Sequence, residues 1–329
     1  MMDRMASGGR GRLAPSPTGA LHLGNARSFL VAWLSARAKG GMVVLRTEDL
    51  DHPRVKLDAA QQAIDDLRWL GLDWDEGPDL GGQHAPYIQS QRIDRYRAAL
   101  NELLQQDLVY PCICSRKDVE EAQAAPHETA NGLYYPGTCR DRFTGWTHAL
   151  STLPEERLPA WRFRVSEGNL TFRDNFHGSC SYNVFQQVGD FAIARHEDGA
   201  GYMLAVVVDD AEMGITEIVR GEDLLPTTPR QILLYLALNL PIPSFTHIPL
   251  VVGPDGRRLA KRHGDTRISA FRDAGTSPER IVGMLAHWCG WGLWGEELTP
   301  YDVLKRYDLT KLPRDPVVLT EEVSRFLGC

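Results

Sequence analysis

The sequence predicts an α/β protein: a parallel β/α domain split in two by an α+β insertion and followed by a short helical module. Three observations carry this. Apolar and amphipathic runs alternate over residues 10–108, the pattern breaks over 109–199, and it returns from 200 onward. At 329 residues, 43% hydrophobic and 24% charged, the chain is long enough for more than one domain.

The first element follows residues 1–9, a glycine-containing, flexible N-terminus. "GRLA" reads as a strand and "ARSFLVAWLSARA" as a helix, with "APSPTGALHLGN" (Ala14 to Asn25) between them. "MVVLRTEDLD" reads as a second strand ending in acids and "DAAQQAIDDLRWLGL" as a second helix. In "QSQRIDRYRAALNELLQQ", Ile93, Tyr96, Leu100, Leu103 and Leu104 follow helical spacing. The insertion holds three cysteines and short alternating runs such as "WRFRV" and "NLTFRDNF". "YMLAVVV", Tyr202 to Val208, has the length of a buried element, and "GITEIVRG", "TPRQILLYLALN" and "FTHIPLVV" continue the α/β pattern. After Lys261 short helices are expected, with no strand-rich segment. The divisions are 10–108 and 200–263 for the split domain, 109–199 for the insertion and 264–329 for the helical module.

No run approaches the ~20 apolar residues of a membrane span, and the N-terminal stretch, with no apolar segment behind it, leads us to expect no signal peptide. The expected place is the cytoplasm, with no membrane partner. The six cysteines are unevenly spread, which argues against a disulfide framework. Net charge is −7, yet residues 220–272 carry eight Lys or Arg against four acids, so a local basic face is compatible with an acidic chain.

"APSPTGALHLGN" is more than a turn requires. A helix N-terminus presents unpaired N–H groups and positive dipole density, a natural place for phosphate. Gly19 and Gly24 allow close approach, His22 and Asn25 add polar groups, and Pro15 and Pro17 stiffen the loop. Alone, the stretch reads equally as a rigid strand-to-helix turn. Its partner is "PDGRRLAKRHGD", where Arg257, Arg258, Lys261 and Arg262 form a basic loop suited to closing over a polyphosphate.

Together the two segments resemble the signatures of class I aminoacyl-tRNA synthetases, "HLGN" standing for HIGH and "RLAKR" for KMSKS. "RLAPSPTGALHLGNAR", "LRTEDLD", "YMLAVVVDDAEMGITEIVRGEDLL" and "FTHIPLVVGPDGRRLAKRHGD" are similar to glutamyl-tRNA synthetases, over roughly residues 10–290. The resemblance implies a Rossmann-like catalytic domain that joins L-glutamate to ATP, with Mg²⁺ accompanying the nucleotide. It departs at Arg258, where the motif has lysine, and at Ala260, where it has serine. By the resemblance, His22, Gly24, Asn25, Arg258 and Lys261 face ATP, and His22, Asn25 and Lys261 serve catalysis by positioning and charge stabilisation. Arg12, Leu13, Ala14, Pro15, Ser16, Glu48, Tyr202 and Arg220 surround glutamate: Glu48 on the ammonium, with Arg12, Tyr202 and Arg220 at the carboxylates. Arginine grips a carboxylate in two-point fashion and is left facing a neutral amide when glutamine is bound.

Cys112-x-Cys114 and Cys139 offer three thiolates, one short of tetrahedral zinc. His127 is the ordinary fourth candidate and Tyr135 the unusual one. The arrangement C-x-C…Y-x-x-x-C resembles the glutamyl-queuosine branch of the family and favours Tyr135, with zinc as a structural staple of the insertion. Only 68 residues follow Lys261, too few for a separate anticodon-reading domain. Both features imply a protein that places glutamate on queuosine in tRNA(Asp). A compact synthetase charging a tRNA 3′ end, and an inactive zinc-containing RNA-binding paralogue, remain the alternatives. Cys180, Cys289 and Cys329 read as core or tail thiols, and Trp288, Trp291 and Trp294 as packing residues.

Overall fold

A computed structural model describes residues 8–17, 19–50, 58–122, 134–154, 157–195, 197–199, 201–257, 259 and 265–328. The chain opens with β1 (Arg10–Leu13), α1 (Leu23–Ala38), β2 (Met42–Leu45) and α2 (Ala59–Trp69). β1 and β2 are parallel, Arg10 opposite Met42 and Leu13 opposite Leu45. Parallel neighbours need a crossover, and α1 supplies it. Because α1 is packed on several sides, it buries Leu23, Leu30, Val31, Trp33 and Leu34 and lacks a wholly polar face. α3 (Ile93–Gln105) is conventionally amphipathic and buries Tyr96, Leu100 and Leu103.

The next stretch contains β3 (Val109–Cys112), α4 (Arg116–Ala122), α5 (Trp146–Leu150), β4 (Ala160–Phe163), β5 (Leu170–Asp174), β6 (Gly178–Tyr182), α6 (Val184–Gln187) and β7 (Phe191–Ala194). Strands β3, β4 and β7 make an antiparallel sheet in that order. The chain then returns through α7 (Tyr202–Glu212), β8 (Glu217–Gly221), α8 (Thr228–Ala237), β9 (Ser244–Ile248) and β10 (Val251–Val252). "YMLAVVV" is therefore helical: α7 is buried along most of its length, so its apolar run has no clear period. β8 and β9 pair in parallel, and the β5–β6 hairpin extends their sheet, with Asp174 opposite Phe245. The two halves of the split domain meet where the Thr216 N–H donates to the Arg10 carbonyl at 2.9 Å.

The remainder is α9 (Ile268–Asp273), α10 (Pro278–Trp288), α11 (Pro300–Leu304), β11 (Val317–Val318) and α12 (Glu321–Leu327). Local sequence explains the starts. Ser277 caps α10 by accepting from the Arg280 N–H, with proline at the first helical position, and Thr299 with Asp302 forms a capping box on α11. The two-residue β11 is a small addition to the short helices expected here. It exists because β10 offers it a parallel partner, Val251 to Val317 and Val252 to Val318. One apolar core joins the first β/α units to this helical module, bringing Leu13, Leu30 and Leu45 together with Leu285, Val303 and Leu327. Burying each such side chain contributes about 1.5–3 kcal/mol. A second core joins α7, β8, β9 and α8 to the inserted segment.

Candidate active site

α1 begins immediately after His22, so "HLGN" forms the last loop residue and the first helical turn. No side chain caps that turn and no acid lies in it. The positive end of the helix dipole therefore faces a cavity of about 560 Å³. His22, Gly24 and Asn25 line this cavity with Gly19, Arg12, Ala14, Pro15, Ser16, Glu48, Tyr202 and Arg220. Ten of the site residues expected from sequence thus share one cavity. Leu13 does not: its side chain is fully buried in the core and its carbonyl accepts from the Arg46 N–H at 2.9 Å. Gly19 faces open space, with nothing within 4 Å of where a Cβ would stand.

Arg258, Lys261 and His127 lie outside the described residues. The flanks of the basic loop do not. The Leu23 N–H donates to the Thr266 carbonyl at 3.0 Å, and the Ile268 N–H donates to the Leu21 carbonyl at 2.8 Å. On the near side, Val251 lines the cavity and sits 3.6 Å from the position a Gly24 Cβ would take. The residues that flank the basic loop, more than two hundred positions along the chain, thereby meet the "HLGN" segment.

The charges in the cavity are distributed unequally. Glu48 is nearly buried and accepts from Arg46 Nη2 at 3.0 Å. Burial raises the pKa of its carboxyl, against the pull of Arg46 and then Arg12. Arg46 is itself fully buried and also donates to Asp210 at 2.7 Å. Arg12 lies 3.5 Å from Asp210 and donates to the Val219 carbonyl at 3.3 Å. Arg220 differs. Its Nε donates to His247 Nε2 at 3.0 Å, and its Nη2 to Thr228 Oγ1 at 2.8 Å and Gln231 Oε1 at 2.7 Å. These partners carry no charge, and its buried Nη1 has no hydrogen-bond partner. Burial pulls the Arg220 pKa below the ordinary arginine value. A buried guanidinium with an open N–H calls for an anion.

Sequence reasoning missed Arg46, Asp210, His247, Asp174, Thr228 and Gln231. A signal existed for two of them: Thr228 and Gln231 are polar at i, i+3, so they share one face of α8. Glu48, Arg12 and Arg220 together offer one anion and two cations, the complement of a molecule with one ammonium and two carboxylates.

The cysteines form a separate cluster. The sulfurs of Cys112, Cys114 and Cys139 all lie within 4.8 Å of one another, with Cys114 and Cys139 at 3.6 Å. Tyr135 joins them, its phenolic oxygen 3.3 Å from Cys112 Sγ and 3.9 Å from Cys114 Sγ. Tetrahedral zinc with bonds of about 2.3 Å to sulfur and about 2.0 Å to oxygen requires neighbouring ligand atoms roughly 3.5–3.8 Å apart. The cluster fits that geometry and could hold a metal ion. The Cys139 N–H donates to the Tyr135 oxygen at 2.8 Å, and the Arg162 guanidinium lies 3.6 Å from the ring centroid. Burial and the Cys112 sulfur push the phenol pKa up, and the Cys139 N–H pulls the other way, toward negative charge on that oxygen. Among the described residues, Tyr110, Val119, Ile113 and Phe143 pack around the cluster, a thin apolar core. The other tail and sheet thiols stand apart: Cys289 is buried and Cys180 partly so.

Comparison with known proteins follows the same lines. The model of the family described as class I tRNA synthetases (E and Q), catalytic domain, matches residues 10–310. The glutamyl-Q tRNA(Asp) synthetase of Symbiobacterium thermophilum is 49% identical over 327 residues, covering 97% of this chain and 98% of that protein. The glutamate–tRNA ligase of an Anaeromyxobacter species is 43% identical over 304 residues, covering 91% of this chain and 61% of its own length. A crystal structure of a glutamate tRNA ligase from Elizabethkingia meningosepticum, in complex with its amino acid, superposes with a TM-score of 0.79 at 28% identity, covering 98% of this chain and 69% of that one.

Proposed function

Because the chain belongs to the class I tRNA synthetases for glutamate and glutamine, we propose that it activates L-glutamate with ATP and transfers the glutamyl group to queuosine in tRNA(Asp). The observation that carries glutamate recognition is the Arg220 guanidinium: buried, bonded to neutral groups, with Nη1 unpaired, on a side chain that lines the same cavity as Glu48. Glu48 takes the ammonium, and Arg12, Tyr202 and Arg220 take the carboxylates. Ser16 and the backbone of Ala14 and Pro15 form the rim.

His22, Gly24 and Asn25 receive the ATP phosphates at the start of α1. Arg258 and Lys261, from the basic loop, neutralise charge on the departing pyrophosphate, and Mg²⁺ arrives with the nucleotide. The α-carboxylate oxygen attacks the α-phosphorus, the bond to the β-phosphate breaks, and pyrophosphate leaves. A queuosine hydroxyl then attacks the acyl carbon, AMP leaves, and no covalent link to the protein forms. Positioning and charge stabilisation suffice. Zinc held by Cys112, Cys114, Cys139 and Tyr135 staples the inserted segment. Queuosine as acceptor is supported by relatives that match nearly end to end and carry that name. Among the described residues no helix is long and apolar enough to cross a membrane, and we take the cytoplasm, where tRNA and ATP meet, as the place of action.

The test is to load labelled glutamate onto tRNA with ATP, digest with nuclease and locate the label. Label on an anticodon fragment, dependent on queuosine, is expected. Label on the 3′-terminal adenosine would overturn the transfer step.

A further inference from the structure

We propose that Asp174 and His247 are positioning residues for substrate selection: they orient Arg220 through a neutral imidazole, so that its charge is left for the carboxylate of the amino acid. The inference rests on the reading of Arg220 given above and asks what holds that side chain in place.

Asp174 ends β5 and His247 sits in β9, and both are buried. Asp174 Oδ1 accepts the N–H groups of Phe176 and His177, each at 2.9 Å. Its Oδ2 lies 2.7 Å from His247 Nδ1 and accepts the His247 N–H at 3.2 Å. A carboxylate held by three backbone donors is an acceptor only, so Nδ1 must carry the imidazole proton. Nε2 then has a lone pair, and Arg220 Nε donates to it at 3.0 Å. Burial disfavours an imidazolium at this point. The facing groups divide: Asp174 favours a second proton, Arg220 and His177 oppose it, and burial outweighs Asp174.

The chemical consequence is selectivity. Had a carboxylate stood where His247 stands, Arg220 would be paired within the protein and indifferent to whether a ligand carried a carboxylate or an amide. Thr228 and Gln231 follow the same rule as His247 in accepting from Arg220 without neutralising it. Neither Asp174 nor His247 lines the cavity, so both act through Arg220.

Glutamate-dependent ATP–pyrophosphate exchange on the full chain, compared for His247→Glu, His247→Gln and Arg220→Ala, tests this. His247→Glu should raise the KM for glutamate at least about tenfold and narrow the preference for glutamate over glutamine, leaving the KM for ATP unchanged. His247→Gln keeps an acceptor near Nε2 and should stay within about threefold of the unmodified protein. Equal glutamate KM values for His247→Glu and the unmodified protein would overturn the inference, as would parallel rises for glutamate and ATP. If Arg220→Ala leaves the glutamate KM unmoved, the assignment of Arg220 itself is wrong; if only the His247 variants are silent, the positioning role alone falls. Independently of any variant, ¹⁵N spectra of histidine-labelled protein at pH 7.5 should show His247 protonated at Nδ1. A proton on Nε2 there would refute the arrangement.

Discussion

The backbone N–H of Cys139 donates to the phenolic oxygen of Tyr135 at 2.8 Å, four residues back along the chain. A hydrogen bond into that oxygen favours the phenolate, the form able to ligate a metal. Tyr135→Phe should therefore lower zinc affinity at least about tenfold, read by chelator competition, with His127→Ala close to the unmodified protein. The reverse ranking would transfer the fourth ligand to His127.

Arg46 is the hub behind Glu48, bonded to it and to Asp210 with no exposed surface of its own. Replacing it with methionine keeps the volume and leaves three buried acids (Glu48, Asp209 and Asp210) short of a cation. Arg46→Met should cost about 3 kcal/mol or more in urea unfolding. An unfolding free energy within about 1 kcal/mol of the unmodified protein would refute it.

Gly24→Ala separates stability from ligand binding. A Cβ there would stand 3.3 Å from the His22 ring and 3.6 Å from Val251, narrowing the phosphate end of the cavity. Alanine is the better helix former by about 1 kcal/mol. The melting temperature should hold or rise while the KM for ATP climbs about tenfold. An unchanged KM would show that ATP does not approach this turn.

Stability should fall on mild acidification, and His247 supplies the reason. Burial holds its pKa at about 4, against an ordinary value of 6.5. The folded state therefore resists a proton that the unfolded chain accepts. Its contribution is complete above pH 6.5 and is lost as pH falls from 6.5 to 4, on the order of 3 kcal/mol at most. Asp174, whose pKa lies below the carboxylate norm, loses its contribution only at lower pH. Urea midpoints across that window should slope downward, and His247→Gln should flatten the slope. A slope untouched by that substitution would assign the effect to other groups.

These residues also mark where sequence alone can be read. "HLGN" was legible because glycines and prolines packed ahead of a helix exceed what a turn needs, the pairing with "RLAKR" narrowed the use, and Glu48 and Arg220 followed from the family resemblance those motifs carry. The three cysteines were legible from their clustering in one stretch, and Tyr135 from the resemblance of C-x-C…Y-x-x-x-C to one branch of the family. Asp174 and His247 were not. Each is an ordinary polar residue within a strand, and a separation of 73 positions conceals a 2.7 Å contact. Arg46 was hidden similarly, because its acids Asp209 and Asp210 sit in an apolar run whose helical period is blurred by burial on nearly every side. β11 had no local signal, since two valines become a strand only when β10 is beside them.

That pairing has a consequence for how the molecule comes apart. β10 precedes the basic loop, β11 belongs to the helical module, and the module's Leu285, Val303 and Leu327 share a core with Leu13 and Leu30 around the first turn of the cavity. The module is thus a retaining wall for the proposed nucleotide end of the site, and among the described residues its apolar side chains belong to that shared core. Fraying at α12 would propagate through β11 to Val251 and so to the cavity lining. Loss of ATP binding and loss of the C-terminal helices should be a single cooperative event, with no intermediate in which a trimmed enzyme still holds its nucleotide.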